Sequence, residues 1–176
     1  MITLIQGDCF EQMPKLETQS VDMVITSPPY NRKRNDKYNN HTDIKRDYVA
    51  FLEKSINECL RVCKGNVFFN LQKNTYNKQD VHKIMGMFSE KIIEVLIWKK
   101  SNPMPNPHLI NAYEYILVLS ENNKSLKANK TYTLDTVLDP FMGVGTTGAV
   151  CKNRKRNFIG IELDKTYFEI CEAGLT

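Results

Sequence analysis

Two short stretches hold the residues best suited to chemistry. One is SPPY, Ser27 to Tyr30, at the end of the β-branched run VDMVIT. Consecutive prolines fix φ and make a rigid, extended turn, and at the carboxyl end of a strand such a turn lies where open α/β sheets place their chemistry. A proline-stiffened strand exit would explain Pro28 and Pro29, but not the hydroxyl of Ser27 or the ring of Tyr30 that flank them. The other stretch is DPFMGVGTTG, Asp139 to Gly148, after the run TVL. Gly143 and Gly145 let backbone approach a ligand closely, and the helix that follows carries partial positive charge at its N-terminus. Glu162 then ends the run NFIGIE, close to the spacing at which an acid on a second strand binds ribose hydroxyls. No lysine completes a P-loop, whereas Gly148 completes GxGxxG, so the spacing leaves open a dinucleotide or another adenosine ligand.

The elements that must position these residues follow from periodicity. Short apolar or β-branched runs alternate with helical patterns, the habit of an α/β protein with a largely parallel sheet. The strand candidates are ITLIQ, VDMVIT, GNVFFNL, EVLIWKK, EYILVLS, TVLD and NFIGIEL. Between Tyr48 and Val62 the apolar positions fall near a 3.6-residue period and predict an amphipathic helix. Further helices are expected over Asp80 to Ser89, Thr147 to Arg154 and Lys165 to Ala173. Residues 31 to 46, NRKRNDKYNNHTDIKR, are rich in basic residues and asparagine and read equally as a polar loop or a loop facing nucleic acid. The stretch SNPMPNPHLINA is held extended by its three prolines.

Composition adds bounds. The 176 residues fit one domain, and 41% hydrophobic with 25% charged residues is ordinary for a soluble globular protein. A net charge of +4 permits a polyanionic partner without requiring one. Five scattered cysteines, with no CxxC pair or Cys/His cluster of zinc-ligand spacing, point to a reduced intracellular setting and to no metal. No apolar run is long enough to span a bilayer, and MITLIQGDCF is too short and too soon acidic for a signal peptide, so no membrane partner is expected.

Taken together, SPPY, DPFMGVGTTG, FIGIELD and the GD of LIQGDCF resemble the β-group amino DNA methyltransferases that use S-adenosylmethionine. Nearly the whole chain takes part in the resemblance, and the combination of motifs is specific. It implies a circularly permuted Rossmann-like methyltransferase fold with a seven-stranded, mostly parallel sheet, because SPPY precedes the glycine turn. It implies a single domain over residues 1–176 with a reduced target-recognition region in loops near 31–46 and 101–111. The cofactor, S-adenosylmethionine, would have its adenine near Asp8 and Cys9, its ribose at Glu162 and Leu163, and its methionine part on Asp139, Pro140, Phe141, Gly143, Gly145, Thr146 and Thr147, with Thr26 and Ser27 beside it. Ser27, Pro28, Pro29 and Tyr30 would be catalytic: the Ser27 hydroxyl and Pro28 carbonyl hold the target amine while Tyr30 stacks on a flipped base. DNA would be the partner, contacted by Asn31, Arg32, Lys33, Arg34, Lys37, Asn102 and Asn106, in a cytoplasmic or host-cell intracellular, DNA-associated setting. A homodimer is compatible with the resemblance.

Two features depart from the family pattern. Only ENNKSLKANKTYTLD separates EYILVLS from TVLD, and it contains no HPTxKP-type segment, which in the family helps hold the cofactor. SPP is commoner among enzymes of the cytosine amine, whereas the continuation YN and the stretch WKKSNPMPN look more like those acting on adenine; N6 of adenine is favoured. Cytosine N4 methylation, an RNA or protein-amide methyltransferase, and a catalytically silent DNA-binding subunit are the alternatives.

Overall fold

The computed structural model describes residues 1–32, 46–105, 110–122 and 135–175, and within them every side chain but those of 102–105, 110 and 111. Lys33, Arg34, Lys37, Asn106 and most of the segment before TVLD lie outside the described residues, as does the side chain of Asn102.

Seven strands form one sheet: β1 (Ile2–Gln6), β2 (Val21–Thr26), β3 (Cys63–Leu71), β4 (Ile92–Pro105), β5 (Ile110–Leu119), β6 (Thr136–Asp139) and β7 (Asn157–Glu162). Their order is β1-β7-β6-β2-β3-β5-β4. All ladders from β1 to β3 are parallel, and β5 runs antiparallel to both β3 and β4. The mostly parallel seven-stranded α/β sheet is therefore as expected. The first strand pairs with the last, from Ile2↔Phe158 to Gln6↔Glu162, and the Met1 ammonium donates to Asn157 Oδ1 at 2.7 Å.

Alternation along the strands sends side chains into two cores. On one face Ile5, Val24, Leu138 and Ile161 join Val67, Phe69 and Leu71 of β3 against α2 (Tyr48–Val62) and α3 (Lys78–Met87). On the other, Leu4, Met23, Val137 and Phe158 pack under α4 (Thr146–Asn153) and α5 (Lys165–Leu175). Neighbouring residues on each strand thus serve opposite layers, which is the period-two consequence of a sheet covered on both sides. A short helix missed by periodicity, α1 (Cys9–Gln12), follows β1; it is too short to show a helical repeat. None of the five cysteines is in a disulfide, and all are buried. Among the described residues no helix is long and apolar enough to cross a membrane.

Three strands run beyond their expected runs, β3 starting at Cys63, β4 reaching Pro105 and β5 starting at Ile110. β4 continues through SNPMP because Met104 and Pro105 pair with Asn111 and Ile110 across the hairpin, after an irregularity beyond Lys99. An edge strand tolerates these prolines since its outer side needs no ladder donor.

The glycines of α4's approach are separated by their surroundings. A Cβ on Gly148 would lie 2.5 Å from Leu175 Cδ1 and 2.8 Å from Phe158 Cε1, so this glycine lets α4 sit close to α5 and β7. Gly148→Ala is expected to destabilise the fold by about 1 to 3 kcal/mol through overpacking. Gly86→Ala in α3, where a Cβ meets nothing within 4 Å, should be neutral or stabilising by up to about 1 kcal/mol. Urea unfolding of both variants checks the contrast; equal midpoints would refute it.

Candidate active site

Strand order does most of the assembly. β1, β7, β6 and β2 lie side by side and parallel, so their carboxyl ends form one edge bearing Asp8, Glu162, Asp139 and Ser27 in turn. Residues from both ends of the chain meet there.

Asp139 closes β6 and is buried. Its Oδ1 accepts from the Thr26 hydroxyl at 2.8 Å and from the Phe141 amide at 3.2 Å, and its Oδ2 accepts from the Thr147 hydroxyl at 2.8 Å. Burial dominates and pushes its pKa up to about 6, against the lowering effect of Thr147, Thr26 and the Phe141 amide. Thr26 immediately precedes SPPY, so this carboxylate joins the two motifs.

Glu162 closes β7 and organises the glycine turn. Its Oε2 accepts from the Gly143 amide at 2.7 Å and its Oε1 from the Asp164 amide at 2.8 Å. Gly143 and Gly145 both have positive φ, 54° and 86°, which favours glycine. Around Gly143 a Cβ would meet nothing within 4 Å, whereas at Gly145 it would lie 2.4 Å from Cys171 Sγ. The turn is thus open at Gly143 and closed by α5 at Gly145, which also caps α4. Thr146 and Leu163 are exposed, Pro140 is buried, and Phe141 packs toward Phe51 with ring centroids 5.8 Å apart. At the far end of the edge Asp8 caps α1, its Oδ1 accepting from the Phe10 amide at 2.8 Å, and Cys9 is buried in the core.

SPPY is held by side chains from three other elements. The Pro29 carbonyl accepts from Tyr48 Oη at 2.8 Å, and the Tyr30 carbonyl accepts from Asn74 Nδ2 at 3.0 Å and Asn77 Nδ2 at 2.8 Å. Among the described residues no donor reaches the Pro28 carbonyl, and Ser27 is exposed. Beneath the turn, Asn70 Nδ2 lies 3.2 Å from Ser27 Oγ, 2.8 Å from Tyr30 Oη and 2.7 Å from Glu114 Oε2. Tyr30 Oη donates to Glu114 Oε2 at 3.3 Å, and Lys100 forms an ion pair with Glu114 Oε1. Burial, with the Glu114 charge second, pushes the Tyr30 phenol up to about 12. The phenol therefore keeps its proton. Arg32 lies over the Tyr30 ring, 5.1 Å from its centroid, and Asn31 is buried at φ 52°.

Sequence reading missed Asn70, Lys100 and Glu114. Two of them were visible as polar interruptions, Asn70 in the apolar run GNVFFNL and Glu114 in NAYEYILVL, each buried in the structure. Their partners are not local in sequence, so no short motif connects them.

The DNA methylase family profile matches residues 21–134 and 129–173. The Type II methyltransferase M.HinfI of Haemophilus influenzae is 26% identical over 247 residues, a match spanning 98% of this chain and 68% of that protein. The Type II methyltransferase M.HpaI of Haemophilus parainfluenzae is 24% identical, over 98% and 73% of the two chains. The crystal structure of the M1.HpyAVI–SAM complex superposes with a TM-score of 0.67 at 26% identity, covering 98% of this chain and 99% of that one. The cytosine-N4-specific PvuII DNA methyltransferase shares the fold, with a TM-score of 0.78 at 15% identity over 99% and 86%.

The raised pKa of Asp139 makes a stability prediction. In the unfolded chain this carboxyl titrates near 3.8, in the folded protein near 6. Keeping it ionised therefore costs the folded state stability at neutral pH, and the cost is relieved as pH falls below about 6, until the unfolded chain also protonates. Between pH 7 and pH 5 the wild type should gain about 1 kcal/mol relative to Asp139→Asn, the worth of roughly one pKa unit. Denaturant titrations of the two proteins at both pH values test it; parallel pH profiles would be the contrary result.

Proposed function

The chain belongs to the N6/N4 DNA methylase family, and from that membership we propose that it moves a methyl group from S-adenosylmethionine to the exocyclic amine of a base flipped out of DNA, with adenine N6 preferred. The enzymatic methylation of DNA amino groups goes with the family. The preference for adenine rests on this chain's own residues, the YN that continues SPPY and the stretch WKKSNPMPN.

The cofactor suits the edge. The turn is open at Gly143, where a Cβ would meet nothing within 4 Å, and carboxylates stand on the strand ends to either side. Asp8 would accept from adenine, Glu162 from the ribose hydroxyls through the lone pairs its two backbone donors leave, and the Asp139 to Thr147 turn would take the methionine part. Asp139 accepts three bonds, which leaves room on Oδ2 for one from an ammonium. When bound, S-adenosylmethionine supplies an electrophilic methyl group on a sulfonium.

The protein's contribution is to hold the amine. An amine conjugated with its ring is a poor nucleophile, and two acceptors fix its hydrogens so that the lone pair points at the methyl group. The observation that carries this role is the unequal use of the SPPY carbonyls: those of Pro29 and Tyr30 are tied down, while among the described residues no donor reaches the Pro28 carbonyl, and Ser27 is exposed with its Oγ accepting from Asn70 Nδ2. Such alignment is worth roughly 7 to 11 kcal/mol of barrier. The Tyr30 ring, now shared with Arg32, would stack on the flipped base for about 1 to 3 kcal/mol, offsetting part of the few kcal/mol that flipping costs. Loops 31–46 and 101–111 would read the DNA site. The permuted order belongs to the same proposal, supported by the pairing of the first strand with the last. So does the assignment of residues 1–176 to a single catalytic domain.

Cytosine N4 is the second reading, favoured by the serine at position 27. Purified protein incubated with DNA and labelled S-adenosylmethionine, followed by digestion to nucleosides, separates the two. N6-methyldeoxyadenosine is the expected product and N4-methyldeoxycytidine the outcome that moves the assignment. Pro28→Ala and Tyr30→Ala should each lose on the order of 100-fold in methylation rate, since a displacement of about 1 Å suffices for that. Cofactor binding with no methylated base of either kind would sink the proposal.

A further inference from the structure

The backbone and the side chains of SPPY are held by different residues. Tyr48, Asn74 and Asn77 donate to the carbonyls of Pro29 and Tyr30, which fixes the path of the turn. Two things on which the chemistry depends are left to be set: the rotamer of Ser27, an exposed serine whose Oγ has three staggered wells, and the tilt of the Tyr30 ring. One group meets both. Asn70 Nδ2, near the end of β3, donates to Ser27 Oγ at 3.2 Å and to Tyr30 Oη at 2.8 Å.

The same nitrogen donates to Glu114 Oε2 at 2.7 Å, so its two hydrogens are shared among three acceptors. Glu114 sets which way the amide faces, because the opposite orientation would place oxygen against carboxylate. Lys100 pairs with the other oxygen of Glu114, and Tyr30 Oη donates to Oε2 at 3.3 Å while accepting from Asn70. The direction of the amide is therefore fixed from β4 and β5, and the other two bonds of Nδ2 both go to SPPY. The position carries a cost that packing alone would not retain. Asn70 is 6% exposed, and its Oδ1 is buried with no hydrogen-bond partner among the described residues. A buried acceptor without a donor is destabilising, and β3 is otherwise apolar from Val67 to Leu71. An apolar side chain at position 70 would avoid the penalty and would hold neither Ser27 nor Tyr30.

We propose that Asn70 is a positioning residue that locks the two halves of the target-base site to each other: through one amide nitrogen it holds the Ser27 acceptor and the Tyr30 ring at a fixed separation, so that a base stacked on the ring presents its amine to Ser27 Oγ. The bond to Ser27 fixes where the oxygen sits and leaves its second lone pair for the amine. In this role Asn70 acts only through its two partners.

The proposal rests on the methyl-transfer reading, and a substitution cycle separates the two. Asn70→Ala should lower the single-turnover methylation rate at saturating DNA and cofactor about tenfold or more, with cofactor affinity changed less than about twofold. A protein carrying Ser27→Ala and Tyr30→Phe keeps the turn, the Pro28 carbonyl and an aromatic ring, but neither group that Asn70 holds. In that background Asn70→Ala should cost less than about threefold. Should the background be too slow to follow, Tyr30→Phe alone should cut the Asn70→Ala factor by about threefold. A residue that only supported β3 would cost the same factor in every background, so equal factors overturn the proposal, as does an undiminished rate in the Asn70→Ala single variant. Cofactor binding measured on each protein shows that it is folded; if Asn70→Ala fails that check, Asn70→Ser takes its place, since its hydroxyl carries one hydrogen where the amide offers two. A wild type that methylates no DNA removes the methyl-transfer reading and this proposal with it, whereas equal factors in an active enzyme remove only this one.

Discussion

A buried carboxylate, Asp139, holds the edge of this sheet together. β2 and β6 share just two register pairs, Met23↔Val137 and Val24↔Leu138. Where that ladder stops, Asp139 takes over, accepting from Thr26 across the gap, from Phe141 in its own turn and from Thr147 at the start of α4. Thr26 and Asp139 are 113 positions apart. An ionised group in this position is tolerable because three donors bond it, and a bare buried carboxylate would cost several kcal/mol. The bonds that satisfy it therefore also fix SPPY relative to the glycine turn, and the geometry of the site follows from a solvation requirement.

The same economy appears twice more along the edge. Glu162 uses its oxygens to shape the glycine turn and the start of α5, and Asp8 caps α1. Each carboxylate proposed to meet cofactor is already bound to backbone amides of its own neighbourhood, so each is oriented before any ligand arrives. The SPPY turn is treated likewise, with Tyr48, Asn74 and Asn77 gripping the carbonyls of Pro29 and Tyr30. Rigid support is concentrated on what surrounds the groups proposed to react.

How much of this could be read from the sequence depends on the range of the interaction. SPPY, the glycine turn and Glu162 declare themselves because proline and glycine constrain the chain locally. Four strands have the bounds, or nearly the bounds, that alternation predicts, from ITLIQ to NFIGIE. The hairpin of β4 and β5 extends past its apolar runs because pairing, not composition, sets its length. Asn70, Lys100 and Glu114 meet only when three strands are laid side by side, and nothing in their immediate neighbours announces it. Likewise the two glycines of GVG look equivalent on paper, yet Cys171 and Leu175 close the space beside one and leave the other open.

The pairing of β1 with β7 sets the order in which the molecule can be completed. Among the described residues β1 lies at the sheet's outer margin, with β7 as its one neighbour. A ribosome releases β2 to β6 between β1 and β7, so β1 waits for residues 157–162 before it has a ladder to join. The corner bearing Asp8 closes only when Glu162 has emerged, since the Gly7 amide donates to the Glu162 carbonyl at 2.9 Å. A nascent chain stalled before Asn157 would hold β1 without its partner strand and the glycine turn without the carboxylate that braces it.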